Sequence, residues 1–178
     1  MLPVINIEKT TAVATAFLNF GGGRMNYMKL LKLMYLVERE ALIKKGYLVT
    51  RDRPYSMKHG PVLSNTLDLL KCNSAFNSEY WDLHIKKNNY DSILVKIPAN
   101  FELSIFEEKL IKVIFNEHES KSHFELRDWL HINCPEWKET TSSIPIDYTE
   151  ILRLSYDEET THKILNDIES TYFIESFK

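Results

Sequence analysis

No glycine or proline interrupts the chain between Gly23 and Gly46. Met28, Leu31, Met34, Tyr35 and Leu42 recur there at helical spacing among strong helix formers. Propensity and periodicity therefore agree on a long helix from about Tyr27 to Lys45. Asn26 is placed to cap its start and Gly46 to break its end. Lys29, Lys32, Glu38, Arg39, Lys44 and Lys45 fall on its expected polar surface. Tyr47-Leu48-Val49 extends briefly before Arg51, Asp52, Arg53 and Pro54 impose a loop. His59-Gly60-Pro61 then leads into Val62, Leu63, Leu67 and Leu70. Pro61 suits a first helical turn, where its missing N–H is not needed, so a second helix is expected from there to about Lys71. Residues 24–71 thus read as two packed helices joined by a constrained turn at His59, a scaffold more than a chemistry.

The flanking segments add short elements. Thr10 or Thr11 is expected to cap a first helix through Phe20, with Ala12, Val13, Ala16 and Phe17 as its apolar stripe. Gly21-Gly22-Gly23 ends that helix. No Gly-Lys-Ser or Gly-Lys-Thr follows the glycines, so they read as a terminator and not as a phosphate loop. Residues 72–80 read as a polar loop. Tyr80–Lys86 and Ile93–Ile97 alternate as two strands around an Asn88-Asn89-Tyr90-Asp91 turn, with Trp81, Leu83 and Ile85 on one face. Ser104 with Glu107, Ser122 with Glu125, and Ser155 with Glu158 are spaced as capping boxes for three further helices. The first of these carries Phe106, Leu110, Val113 and Ile114 as an inward stripe. Residues 131–137 form a bend that seats Trp137 against the preceding helix. The fold class expected is mainly α with a small antiparallel β-hairpin (α+β), one compact helical domain over residues 1–178.

Charge and cysteine usage narrow the function. Twenty-two Lys and Arg stand against 25 Asp and Glu, and a net charge of -3 gives no broad attraction to nucleic acid or anionic lipid. Cys72 and Cys134 are the only cysteines. Two distant thiols make no disulfide framework and read as reduced residues of a cytoplasmic protein. No apolar run is long enough to span a membrane, and no signal-peptide pattern opens the chain.

Catalytic chemistry finds little support. His59 has the titration range for acid–base work, yet no Ser or Cys nucleophile motif is tied to it. His118, His123, His131 and Cys134 offer ligand atoms, but at spacings that match neither a structural zinc site nor a His-Glu-x-x-His helix. The basic residues Arg24, Lys29, Lys32, Arg39, Lys44, Lys45, Arg51, Arg53 and Lys58 are interrupted by Glu38 and Glu40, and read as solvated helix surface. No catalytic, cofactor or metal residue is assigned.

In this order and spacing the pieces resemble the Panacea domain family, the SocA-like antitoxins. The resemblance begins at Lys29-Leu30-Leu31-Lys32-Leu33-Met34-Tyr35 and continues through Tyr55 to Gly60-Pro61-Val62. It takes in the Leu103–Leu110 helix and the Leu126–Trp137 segment with Trp129, His131 and Trp137, and covers about residues 11–168. Two positions depart from the family's pattern: His59 directly before Gly60, and Glu136 between Pro135 and Trp137. The resemblance implies an antitoxin that neutralises a cognate protein toxin, encoded beside it, by direct binding. Some relatives instead deliver the toxin to a cytosolic protease, and phage or prophage relatives exist, so an adaptor or phage accessory role is the alternative, with a small nucleic-acid enzyme behind both. A homo-oligomer is compatible with either role. Aromatic and basic anchors concentrate around the two-helix unit, which makes Tyr27, Tyr35, Arg39, Tyr47, Arg51, Arg53, Tyr55 and His59 the candidate partner-binding set.

Overall fold

A computed structural model describes residues 4–72, 78–99 and 102–175. In chain order the elements are α1 (Ile7–Phe20), β1 (Arg24–Asn26), α2 (Tyr27–Lys45), β2 (Pro54–Met57), β3 (Gly60–Leu63), α3 (Ser64–Lys71), α4 (Glu79–His84), β4 (Ile85–Asn88), β5 (Asp91–Leu94), α5 (Ile105–His118), α6 (His123–Asn133), β6 (Ile144–Pro145), α7 (Tyr148–Leu152) and α8 (Glu158–Glu175). The class is α+β as expected, with more strand than one hairpin. Two three-stranded antiparallel sheets form, ordered β1-β5-β4 and β3-β2-β6.

The long helix α2 is the central post. Asn26 caps it by accepting from the Met28 and Lys29 amides, and Gly46 ends it in the left-handed conformation with its N–H on the Leu42 carbonyl. Leu30, Leu31, Leu33, Met34, Leu36 and Val37 are all buried, so α2 is apolar on nearly every side. α1, α5 and β3 pack around it. A second, smaller core joins Leu42 and Leu48 to Ile146, Ile151, Leu152 and Ile168 beneath α7 and α8.

The expected helix at His-Gly-Pro is instead a hairpin. β2 pairs with β3 in the register Tyr55↔Val62, Ser56↔Pro61 and Met57↔Gly60, leaving Lys58 and His59 as the turn. Pro61 lies in the edge strand of its sheet, where a missing donor is tolerated, and the helix starts only at Ser64. Gly60 takes φ +101°, and a side chain there would meet Lys32 Nζ at 3.1 Å. Only glycine satisfies both demands.

Other expectations need correction for related reasons. Glu79–His84 is helical, which turns Trp81, His84 and Ile85 inward and leaves Leu83 65% exposed; the strand begins only at Ile85. Alternation and a short helical repeat coincide at Trp81 and Ile85, and burial of the pair decides for helix. The second strand stops at Leu94. Residues 73–77 of the expected loop lie outside the described residues. α1 starts earlier than expected, capped by Asn6 and not by Thr10 or Thr11, whose hydroxyls donate back into the helix. Val113 faces solvent, and Ile111 and Phe115 join Leu110 and Ile114 inside. The boxes Ser104–Glu107 and Ser122–Glu125 form as expected. Ser155–Glu158 does not: Asp157 Oδ1 accepts from the Thr160 amide and starts α8.

Candidate functional site

Lys32, Tyr35 and Arg39 recur at a spacing that places them along one side of α2. None behaves as a solvated surface residue. Lys32 is 1% exposed and its ammonium donates to the His59 carbonyl at the tip of the β2–β3 hairpin. Burial, with the Arg127 charge adding, pushes its pKa down to about 8. Tyr35 is also 1% exposed, so it belongs to the core and not to a binding surface. Its hydroxyl donates to Glu136 Oε1, and Arg39 Nε donates to the same oxygen at 2.7 Å. The Glu136 side chain is wholly buried, and this pairing satisfies it.

The segment after α6 is thereby clamped between α2 and the hairpin. The His131 ring stacks on Trp137, with centroids 3.8 Å apart and planes 4° from parallel. Trp137 Nε1 donates to the Met57 carbonyl at 2.9 Å, and the Lys138 amide donates to Ser56 Oγ at 3.0 Å. The bend at residues 131–137 does seat Trp137 on its helix. Its wider effect is to lock β2 against α2. Cys134 is buried in this clamp, and burial holds its thiol up at about 12, far from thiolate reactivity.

Beside the clamp lies a groove of about 540 Å³, within the range of ligand-sized cavities. Tyr27, Met28, Met57, Val62, Leu67 and Phe124 supply its apolar lining. Lys32, Lys58, Lys71 and Arg127 supply positive charge, with His59, His123, Ser142 and Ser143 completing the wall. No Asp or Glu is among these lining residues. Arg127 is paired with the adjacent Asp128 at 2.6 Å. Lys58 and Lys71 have no carboxylate partner among the described residues.

The eight partner-binding candidates do not converge. Tyr27 and His59 line the groove, and Tyr55 shares a strand face with the groove residue Met57. Arg53 is exposed beside them in sequence. Tyr47 and Arg51 belong past the other end of α2, which is roughly 28 Å long at 1.5 Å per residue. There Tyr47 donates to Glu107 at 3.2 Å, and Arg51 lies over the Tyr172 ring at 4.5 Å. Arg39 is spent on Glu136 and Glu40.

The groove also takes in Lys58, Lys71, Phe124 and Arg127, which are outside the expected binding set, and Lys32 is buried where helical periodicity expects it on the polar surface. The signal available for Lys32 was its position inside the apolar run Leu30–Leu36. Glu38, likewise expected on the surface, is 3% exposed. It accepts from the Thr50 amide and hydroxyl and from the Arg51 amide. Asp52, fully buried, accepts from the amides of Arg53, Asn65 and Thr66, and so caps α3 from a distance. His118 packs edge-on against Trp129, His123 lies beside Phe124, and His131 stacks on Trp137. Among the described residues no three His, Cys, Asp or Glu are grouped to hold a metal ion.

A family model described as antitoxin SocA-like, Panacea domain, matches residues 30–138. That span runs from α2 through the clamp and includes most of the groove lining. Searches of curated proteins and of solved structures return no match. No helix among the described residues is long and apolar enough to cross a membrane.

Proposed function

The chain belongs to the SocA-like antitoxins with a Panacea domain, and on that premise we propose that it binds a cognate protein toxin directly and holds it inactive. The observation that carries this reading is the position of the matched segment. Residues 30–138 contain the clamp of buried Tyr35 and Glu136 with half-buried Arg39 and Trp137, and the clamp fixes the hairpin that walls the groove. A rigid scaffold with a concave, partly apolar face suits protein binding, where a few buried anchors in a preformed pocket carry most of the affinity. The chemistry in hand supports binding over catalysis: the buried thiol is held protonated, and the buried carboxylates are occupied as hydrogen-bond acceptors.

Tyr27, Tyr55, Arg53 and His59 form the part of the expected binding set that belongs with this face, and Tyr47 and Arg51 belong to a second, separate region. The test is co-expression with the product of an adjacent reading frame that is toxic alone. Restored growth, with intact toxin recovered in a stable complex, supports direct neutralisation. A protease-dependent fall in toxin level would support delivery to a cytosolic protease instead. Growth arrest that persists in the presence of this protein would overturn the antitoxin reading.

A further inference from the structure

We propose that the groove beside Lys32 receives an acidic segment of the partner protein, with apolar side chains on its floor and carboxylates at Lys32, Lys58 and Lys71. The identity of that partner as a toxin rests on the reading above; the chemistry of its docking segment is the new inference.

Charge complementarity selects this occupant. The chain as a whole is acidic at -3, yet the groove gathers cations and has no Asp or Glu among its lining residues. A local positive field on a negative protein draws a negative ligand toward it. The floor then narrows the class. Met28, Met57, Val62, Leu67 and Phe124 are apolar contacts that a phosphate backbone does not use, whereas an amphipathic peptide fills them. Met side chains, unbranched and polarizable, suit a surface that must accept varied apolar groups. Phe124 is 57% exposed, with the Arg127 guanidinium 5.4 Å over its ring, and offers apolar surface to a ligand.

The deepest cation has capacity to spare. Lys32 carries three N–H donors and spends one on the His59 carbonyl. Facing the same side of Gly60 as the Lys32 ammonium, Nε2 of His131 is buried without a hydrogen-bond partner. A hydrogen-bonded carboxylate reaching Lys32 would complete the shell of an ammonium that burial otherwise disfavours.

The experiment is selection of a random-peptide display library on the full-length protein, followed by affinity measurement of the enriched peptides by fluorescence anisotropy. Enriched peptides should combine Asp or Glu with Leu, Phe, Ile or Met. Their affinity should fall roughly tenfold or more for Lys58→Glu/Lys71→Glu and weaken as salt is raised. It should be unchanged for Lys96→Glu/Lys163→Glu, which alters net charge equally outside the groove. Phe124→Ser should weaken the same peptides through the apolar wall. Circular dichroism of each variant establishes that these exposed positions leave the fold intact. Basic or neutral enriched peptides, no enrichment over an unrelated protein, or acidic peptides indifferent to Lys58→Glu/Lys71→Glu would each overturn the proposal. So would tighter groove-dependent binding of a thymidine oligonucleotide, which would make the groove a nucleic-acid site. Failure here with growth rescue intact rejects the groove alone; failure of growth rescue by the wild-type chain rejects the antitoxin reading whatever the peptides show.

Discussion

Glu38 and Lys32 are two buried charges on the same helix, and their surroundings differ. Glu38 is closed: its two oxygens receive the Thr50 amide at 2.8 Å, the Thr50 hydroxyl at 3.0 Å and the Arg51 amide at 3.0 Å. Lys32 is open: it has one acceptor, the His59 carbonyl, and borders the groove. The closed charge pins the chain as it leaves α2, where Arg51 turns through φ +62°. The open charge leaves a positive potential at a cavity wall. A buried charge whose partners are complete serves the fold, and one whose partners are incomplete is the place to test for a ligand.

That contrast breaks first at Glu38. Glu38→Ala strands two backbone amides and a hydroxyl in the interior, and should cost about 3–4 kcal/mol in urea unfolding. A loss below about 1 kcal/mol would mean that the loop at Thr50 is held by something else. The next effect is a pH dependence. Burial raises the Glu38 pKa from 4.5 to about 7, with its hydrogen bonds to Thr50 and Arg51 pulling the other way. Between those values the folded chain holds a proton that the unfolded chain has released. Stability from this group is therefore full below about 4.5 and is lost as pH rises through about 7. His118 acts in the opposite sense: burial lowers its pKa from 6.5 to about 4, so its contribution is lost as pH falls through that window. The clean quantity is the stability of the wild type minus that of Glu38→Gln, which should fall by on the order of 2–3 kcal/mol from pH 4.5 to pH 8. A difference that rises with pH would reverse the assignment.

Smaller effects belong to the clamp and the open charge. Trp137→Phe removes the 2.9 Å bond to the Met57 carbonyl and should cost about 1 kcal/mol, read from the thermal midpoint. Lys32→Met keeps the aliphatic stem and removes the charge, so its stability change should stay within about 1 kcal/mol of wild type. A loss as large as that of Glu38→Ala would show that Lys32 is a structural pin like Glu38, and the distinction between closed and open charge would collapse.

Much of the fold was legible because its signals are local. The Asn26 cap, the Gly46 stop and the boxes at Ser104 and Ser122 each involve residues within one turn of one another, and each forms. The hairpin at Pro54–Leu63 was not legible. Gly60-Pro61 suits a helix start and an edge strand equally, and pairing with the preceding strand, through Met57↔Gly60 and Ser56↔Pro61, decides between them. Asp52 caps α3 from 13 residues upstream of Asn65, a partner that spacing rules do not reach. The site suffered more. Helical periodicity assigns Lys32 and Glu38 to the polar side, because periodicity supposes one wet face, and α2 is enclosed almost all round. Glu136, a departure from the family's pattern, proves to be the acceptor that ties α6's trailing bend to Tyr35 and Arg39.

Isothermal titration of a toxin that this protein neutralises on co-expression, against the wild type and Lys58→Glu/Lys71→Glu at low and high salt, bears most directly on the groove as the docking face. The charge-reversed protein should bind at least about tenfold more weakly at low salt, with the gap narrowing as salt rises. Equal affinities at both salt concentrations, from a variant with wild-type stability, would contradict it.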